Sequence, residues 1–398
     1  MTASSDLIWQ TPEWPQLVAQ GEAVTAAIAF ARQKQGTLAG QLMATGMADD
    51  IVQSLWVDEV ISSSAIEGEA LNPASVRSSV MRRLGLHEDN PTPSSRQVDG
   101  LVEVVEDATA NFAAPLDEDR LFAWHAALFP NGTSGMQRIA VGRWRDHADP
   151  MQIVSGTLGR EVVHYTAPPS SRVAQDMKAF LAWFDQTRPG ETGPRPDGLV
   201  RAAMAHLWFE SIHPFEDGNG RIGRAIVDLA MAQDAAAPQR LVSLSRQILL
   251  HRRDYYSALQ KAQHGACDVS EWVCWFAQMW ALACEDASRL VADALVKSRF
   301  WAQHHQTPLS PRQRKVIQRL LDDGDGGFLG GLNAEKYMKM TGTSKATATR
   351  DLAALVQAQV LWTEHQGKAL RYYVNVPGWR HGIPPPALPI PPDKIPLL

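Results

Sequence analysis

The sequence predicts a helical bundle carrying one projecting β-hairpin, followed by a smaller α+β unit. Three observations predict it. Apolar residues recur at helical spacing, with few glycines, over residues 16–85 and again over 173–296, the pattern of helices that bury one stripe. Before residue 300 a single stretch, "MQIVSGTLGREVVHYTAPPSSR" from Met151, reads as two extended runs about a turn. Beyond "QTPLSPRQR" the texture changes to short helices, a Gly-rich loop and a final pair of extended runs.

Each element has its own signal. Breaks at "TGM" and "LNPAS" divide the first region into two or three helices. In the hairpin, Ser155-Gly156 and Gly159 supply the turn and Pro168-Pro169 ends the second run, because proline cannot continue a ladder. Helical periodicity returns in "VAQDMKAFLAWFDQT", "GLVRAAMAHLWFESI" and "EWVCWFAQMWALACEDASRLVADALV". In the C-terminal unit Ser344 is placed to cap a helix and Gly367-Lys368 to form the tip of a hairpin. The last stretch, "PGWRHGIPPPALPIPPDKIPLL", reads as an extended proline-rich tail.

Composition narrows the function classes. The 398 residues are 45% hydrophobic and 20% charged, with a net charge of −5, which describes a folded chain and excludes one that coats polyanions by bulk charge. Cys267, Cys274 and Cys284 lie in one Trp-rich stretch with no zinc-ligand spacing, so they read as reduced core thiols. The apolar window from Trp272 to Cys284 is too short to cross a bilayer. No membrane partner is expected. "MTASSDLIWQTPEWP" lacks a secretory pattern, and the expected location is cytoplasmic.

The chemistry concentrates in "HPFEDGNGRIGRA", residues 213–225. It joins one helical run to the next, so the loop feeds a helix N-terminus, where unpaired N–H groups and a partial positive charge receive anions. Gly218 and Gly220 let a polyanion approach the main chain. Arg221 and Arg224, three apart, place two guanidinium forks on one side of that helix. Asp217 is a hard carboxylate suited to Mg²⁺ beside phosphate, and His213 is the motif's one group able to take a proton near neutrality. Singly, each has a structural reading as a turn glycine, a helix-terminal acid or a packed histidine. Two arginines at the positive end of a helix do not.

"HPFEDGNGR" followed by Arg224 resembles, position for position, the Fic family signature H-x-F-x-[DE]-G-N-G-R-x-x-R. The resemblance implies an all-α Fic fold with a β-hairpin flap that aligns a target, and Mg²⁺-dependent transfer of a nucleotide monophosphate, usually AMP from ATP, to a hydroxyl of a target protein. It implies His213 as base, Phe215 as core anchor, Asp217 as metal ligand, and Gly218, Asn219, Gly220, Arg221, Gly223 and Arg224 around the phosphates. Gly220 stands where the family's phosphotransferase branch has lysine, which favours nucleotidyl transfer. Within "YYSALQKAQHG", Tyr256 and Gln263 are the candidates for contact with the nucleoside.

"SSSAIEGEAL" contains Ser63 and Glu67-Gly68, which resembles the inhibitory motif [ST]-x-x-x-E-[GN] of Fic proteins. A Glu67 carboxylate on Arg224 would occupy the fork meant for the γ-phosphate. "IWQTPEWPQL" also looks like the start of a helical domain that precedes some Fic cores. The expected organisation is an N-terminal helical domain over 1–95, the Fic core over 96–304, a winged helix-turn-helix over 305–376 and a tail over 377–398. The winged-helix reading rests on "QRKVIQRLLDD", "NAEKYMKMTG", "SKATATRDLAALVQAQVLW" and "TEHQGKALRYYVN"; residues 310–376 hold ten Lys/Arg against six Asp/Glu, and Lys345 and Arg350 are its DNA-binding candidates. Expected partners are therefore ATP, a target protein and DNA, with a homodimer left open. Two alternatives stay open: removal of AMP from modified protein using Glu67, and a nucleotide-sensing DNA-binding regulator.

Overall fold

The computed structural model describes residues 7–45, 48–88, 90–155, 162–190, 195–237, 241–324, 330–364 and 370–379. Gly156, Gly159, Gly367, Lys368 and the tail beyond Trp379 lie outside them. The chain divides into two compact units, Met1–Leu290 and Val291–Leu398.

In the first unit a short 3-10 turn (Ile8–Gln10) precedes α1 (Glu22–Thr45), α2 (Ala48–Ile66), α3 (Pro73–Arg83), α4 (Arg96–Ala110) and α5 (Glu118–Leu128). Two small antiparallel hairpins follow: β1 (Thr133–Ser134) with β2 (Gln137–Arg138), and β3 (Gln152–Ser155) with β4 (Val162–Thr166). The second is the hairpin expected from the sequence. The first has two residues per strand, too few for any alternation to register. The chain continues with α6 (Ser170–Gln186), α7 (Gly198–Ile212), α8 (Asn219–Ala235), α9 (Leu244–Leu250), α10 (Arg252–Gln263) and α11 (Ser270–Gln303), which runs on into the second unit.

Helix starts follow local chemistry. Asn72 accepts from the Ala74 and Ser75 amides ahead of Pro73, and Ser95, Asp117 and Asp197 do the same service for α4, α5 and α7. The core is built on α7, every residue of which is buried. It packs on α8, and between the two helices lies the motif loop. Such an all-round buried helix has no amphipathic stripe, which is why "GLVRAAMAHLWFESI" is apolar on nearly every side. Trp272 of α11 closes this core: it is 2% exposed, its indole N–H donates to the Ala203 carbonyl at 2.8 Å, and it stacks on His206 at 5.9 Å. Cys267 and Cys284 are buried free thiols, while Cys274 is only half-buried.

The second unit contains α12 (Pro311–Asp322), α13 (Ala334–Thr341), α14 (Lys345–Gln357), and an antiparallel pair of β5 (Leu361–Glu364) and β6 (Arg371–Val374). Ser310 and Gln313 form a capping box at α12, and Ser344 accepts from the Thr347 amide at α14. Its core includes Ile317, Leu321, Tyr337 and Leu352. Tyr337 donates to Asp351 at 3.0 Å, and Arg312 reaches the same carboxylate at 2.6 Å.

Replacing Trp272 by Ala leaves a cavity against α7 and removes the indole hydrogen bond to the Ala203 carbonyl, so a loss of about 3–5 kcal/mol is expected. Trp272→Phe, which keeps a ring, should lose less. Urea unfolding of both variants, followed by near-UV circular dichroism, measures the difference.

Candidate active site

Helix α7 ends where His213 turns into the left-handed region, φ 51° and ψ 62°, a conformation that a non-glycine residue holds only when its surroundings impose it. Arg145 imposes it. Its Nε donates to the His213 carbonyl at 2.8 Å, its Nη2 to the Ile212 and Pro168 carbonyls at 3.2 and 2.6 Å, and its Nη1 to the Ser170 hydroxyl at 3.0 Å. The Arg145 amide donates to the Pro214 carbonyl at 2.9 Å. This arginine is 2% exposed, and its five polar contacts tie the base of the larger hairpin to the loop.

Phe215 is fully buried and lies flat on His125, with ring centres 4.1 Å apart. The His125 Nδ1 accepts from the Gly142 amide at 3.1 Å, so its Nε2 carries the hydrogen and donates to the Asp217 carbonyl at 3.1 Å. Burial lowers its pKa to about 4, which keeps the ring neutral. Asn219 folds back on the same loop: its Oδ1 accepts from the Phe215 amide and its Nδ2 donates to the Phe215 carbonyl, both at 2.9 Å. Gly218, at φ 85°, takes the cap position of α8, a conformation that suits glycine.

The reactive groups sit on this scaffold. His213 keeps 15% of its side chain exposed and turns Nδ1 toward Glu210 Oε2 at 3.7 Å. Burial, with the Arg145 charge adding to it, lowers its pKa to about 4, so the imidazole is uncharged at neutral pH. Glu210 is pushed up to about 8 by burial, reinforced by the neighbouring Glu67 carboxylate and opposed by Arg224. It therefore carries a proton at pH 7. Asp217 accepts from the Ser134 hydroxyl and the Gly218 amide, and lies 3.5 Å from Arg221.

Two buried guanidinium groups line the start of α8. Arg221 pairs with Glu69 at 3.2 Å and packs over Phe129, 5.0 Å from the ring centre. Arg224 pairs with Glu67 at 2.9 Å, and it also donates to the Ser63 hydroxyl and carbonyl, each at 2.9 Å. The Nε of Arg221 and the Nη1 of Arg224 have no hydrogen-bond partner among the described residues. Together with the first-turn amides of α8, which no intrahelical carbonyl can meet, they form a donor set of the kind that takes phosphate oxygens.

A cavity of about 670 Å³ opens beside these groups. His213, Glu67, Gly220, Tyr256 and Gln263 line it. A Cβ on Gly220 would collide with Glu67 Oε1. Gly223 lies elsewhere: it faces α7, where a Cβ would meet Glu210 Oε1 and His206, so it serves helix contact and not the cavity wall. The side-chain carboxamide of Asn219 is likewise committed to the Phe215 backbone instead of standing free for phosphate. Tyr256 donates to the Ile66 carbonyl at 3.3 Å, and Gln263 donates to the Glu210 carbonyl at 3.3 Å. Lys345 and Arg350 belong to α14 in the second unit and are exposed there. Sequence reasoning passed over Glu210, Glu69, Arg145 and Ser134. Only Glu69 left a signal, as the second acid of "EGEAL". Among the described residues no cluster of three or more His, Cys, Asp or Glu side chains could hold a metal ion by itself, and no described helix is long and apolar enough to cross a membrane.

The helices around this loop and its two arginines match the Fic/DOC family over residues 115–231, and the chain carries a Fic/DOC family domain. A domain of unknown function (DUF4172) matches residues 7–86. Among similar proteins, a probable protein adenylyltransferase of Aquifex aeolicus is 28% identical over 107 residues, 27% of this chain and 29% of the relative. The protein adenylyltransferase Fic of Nematostella vectensis is 30% identical over 120 residues, 30% of this chain and 26% of the relative. A uridine 5′-monophosphate transferase of Xanthomonas campestris is 27% identical over 130 residues, 32% of this chain and 23% of the relative. The chain thus spans under a third of the length of these relatives. A solved Fic family protein from Desulfovibrio desulfuricans superposes with a TM-score of 0.51 at 20% identity, covering 90% of this chain and 97% of that one, so the mostly helical fold is shared.

Glu210 gives a testable sign. Its folded-state pKa of about 8 lies above the ordinary carboxyl value, so the folded protein binds the proton more tightly than the unfolded chain does. Stability contributed by this proton is present in acid and drains away as pH rises from the ordinary carboxyl range toward 8. Glu210→Gln removes that titration. The variant should gain stability over wild type progressively between about pH 5 and pH 8, and thermal melts across that range check it.

Proposed function

We propose that the protein transfers AMP from ATP to a hydroxyl side chain of a target protein, and that Glu67 restrains the reaction. The observation that carries this reading is the neutral His213 facing a cavity whose phosphate-binding fork, Arg224, is gripped by Glu67 and Ser63. The relatives named protein adenylyltransferase support the reaction class.

With Nδ1 turned toward Glu210, the His213 Nε2 takes the proton of the incoming hydroxyl as its oxygen bonds to the α-phosphorus. The bond from that phosphorus to the β-phosphate bridge breaks, and pyrophosphate leaves toward Arg221 and Arg224. Arg145 keeps His213 in its left-handed turn throughout. Asp217, a part-exposed single carboxylate, suits a magnesium ion held chiefly by phosphate and water. When bound, that ion neutralises phosphate charge, and Asp217 is the residue that would hold it.

Glu67 inhibits by occupying the Arg224 Nη2 and by placing negative charge where the γ-phosphate must come. Glu67→Gly should raise modification rates about tenfold or more, the equivalent of losing a charge-assisted hydrogen bond of about 1.5–3 kcal/mol. Arg224→Ala should lower the rate even in that background, and His213→Ala should abolish transfer while ATP binding persists. Initial rates with α-labelled ATP, with labelled UTP in parallel, separate these outcomes and identify the nucleotide. A Glu67→Gly enzyme no faster than wild type would refute the inhibitory role. Loss of AMP removal from modified protein in the same variant would favour the hydrolytic alternative.

For the second unit, the order of three helices and a hairpin supports a winged helix-turn-helix, with α14 presenting Lys345, Ala346, Thr349 and Arg350 to solvent. Basic and small side chains on one exposed face suit a DNA groove. Retention on duplex DNA should fall steeply with salt and drop when Lys345 and Arg350 are both replaced by Ala; retention unchanged in that variant would rule out this face.

A further inference from the structure

The cavity of the first unit has a charged wall that phosphate binding leaves unused. Arg252 and Arg253, in the opening turn of α10, both line it and both are exposed. Neither forms an ion pair among the described residues. Arg252 lies over the Tyr256 ring, 5.6 Å from its centre, which orients one of the two guanidinium groups. Their neighbour Asp254 turns the other way, into a separate groove shared with Lys261 and Glu271.

The cavity's own carboxylates do not answer this positive charge. Glu67 is engaged by Arg224 at 2.9 Å, and Glu210 is 5% exposed and holds its proton. The buried arginines at the head of α8 already provide the unmet donors for phosphate. Across from α10 stands the hairpin, tied to it by Gln260 donating to the His164 carbonyl at 3.3 Å, with Val154, Val162 and Val163 about half-exposed along it. Ile153 and Val154 of β3 line the same cavity as the two arginines, so a segment laid along that strand passes them.

We infer that the acceptor segment carries acidic side chains beside its hydroxyl, and that Arg252 and Arg253 bind them. The inference rests on the protein-modification reading of the same cavity. Carboxylates of an acceptor and phosphates of a nucleotide share the chemistry that two guanidinium groups recognise, so the experiment separates them.

Two dodecapeptides serve as probes. Each has Ser, Thr and Tyr at its centre; Asp and Glu flank the centre in one, Asn and Gln in the other. Binding is measured by fluorescence anisotropy to the full chain carrying His213→Ala, and ATP is titrated separately. The acidic peptide should bind about tenfold more tightly at low ionic strength, an advantage that salt erodes. Adding Arg252→Gln and Arg253→Gln should remove the advantage while ATP affinity stays within about twofold. Adding Arg252→Glu and Arg253→Glu should penalise the acidic peptide relative to the neutral one, a reversal that simple misfolding cannot produce. Equal binding of the two peptides to the parent, or a loss that falls on ATP and spares the peptide preference, overturns the inference. Binding is read without turnover, so a failure of AMP transfer in the rate measurements leaves this result independent.

Discussion

Everything in the active site hangs on the left-handed turn at His213, and that turn is held by one buried guanidinium. A chain leaving a helix with a non-glycine residue at positive φ stores strain. Arg145 offsets it by satisfying two successive carbonyls, those of Ile212 and His213, together with Pro168 at the hairpin base. The planar fork suits this task better than an ammonium would, because several donors leave one rigid group in fixed directions. Moving Arg145 would therefore displace the imidazole, the loop and the hairpin together. The stacked Phe215 and His125 and the Asn219 clamp fix the rest of the loop, so helix α8 begins at one defined point.

Burial then sets the protonation states. Taking His213 and Glu210 out of water disfavours the charged form of each, giving a neutral base beside a neutral acid. Arg224 keeps its charge despite burial, because a guanidinium is strongly basic and the Glu67 carboxylate faces it. Desolvation thus neutralises the imidazole and the Glu210 carboxyl and leaves the paired fork charged.

Much of this was legible in the sequence because the chemistry is contiguous. His213, Asp217, Arg221 and Arg224 lie within twelve residues, and Ser63 and Glu67 share one helical turn. The hairpin from Met151 announced itself by two extended runs about a glycine-containing turn and by its terminal prolines. The illegible parts are those made by distant chain segments. Arg145 sits sixty-eight positions from His213 in a stretch that has no motif, and Ser134 belongs to strands too short for periodicity. Glu210 reads as a polar interruption in an apolar helix, and nothing local reveals that folding takes its water away and brings Glu67 and Arg224 beside it. Gly223 and Asn219 show the opposite failure: a motif position can be required for packing or loop closure as readily as for ligand contact.

The attachment of α2 bears on how the proposed restraint could be released. Glu59, on α2 about two turns ahead of Glu67 and 2% exposed, accepts from the Ser243 hydroxyl at 2.9 Å, from the Ser245 amide at 3.2 Å and from the Ser245 hydroxyl. A buried carboxylate with three donors is expensive to uncover, so α2 is pinned to the start of α9. Beyond Ile66 the helix closes with Gly68 at φ 86°, and the Glu67, Gly68 and Glu69 amides bond back to the preceding turn at 3.0, 3.1 and 3.0 Å. The Glu67 carboxylate thus sits just beyond α2, on a turn that can change without breaking the Glu59 anchor. Withdrawal of the whole helix would expose that anchor and the Ser63 contacts together, whereas a shift of the closing turn gives up the bond to Arg224 and a few exposed-side bonds and leaves the anchor in place. The energetically cheaper route is the local one.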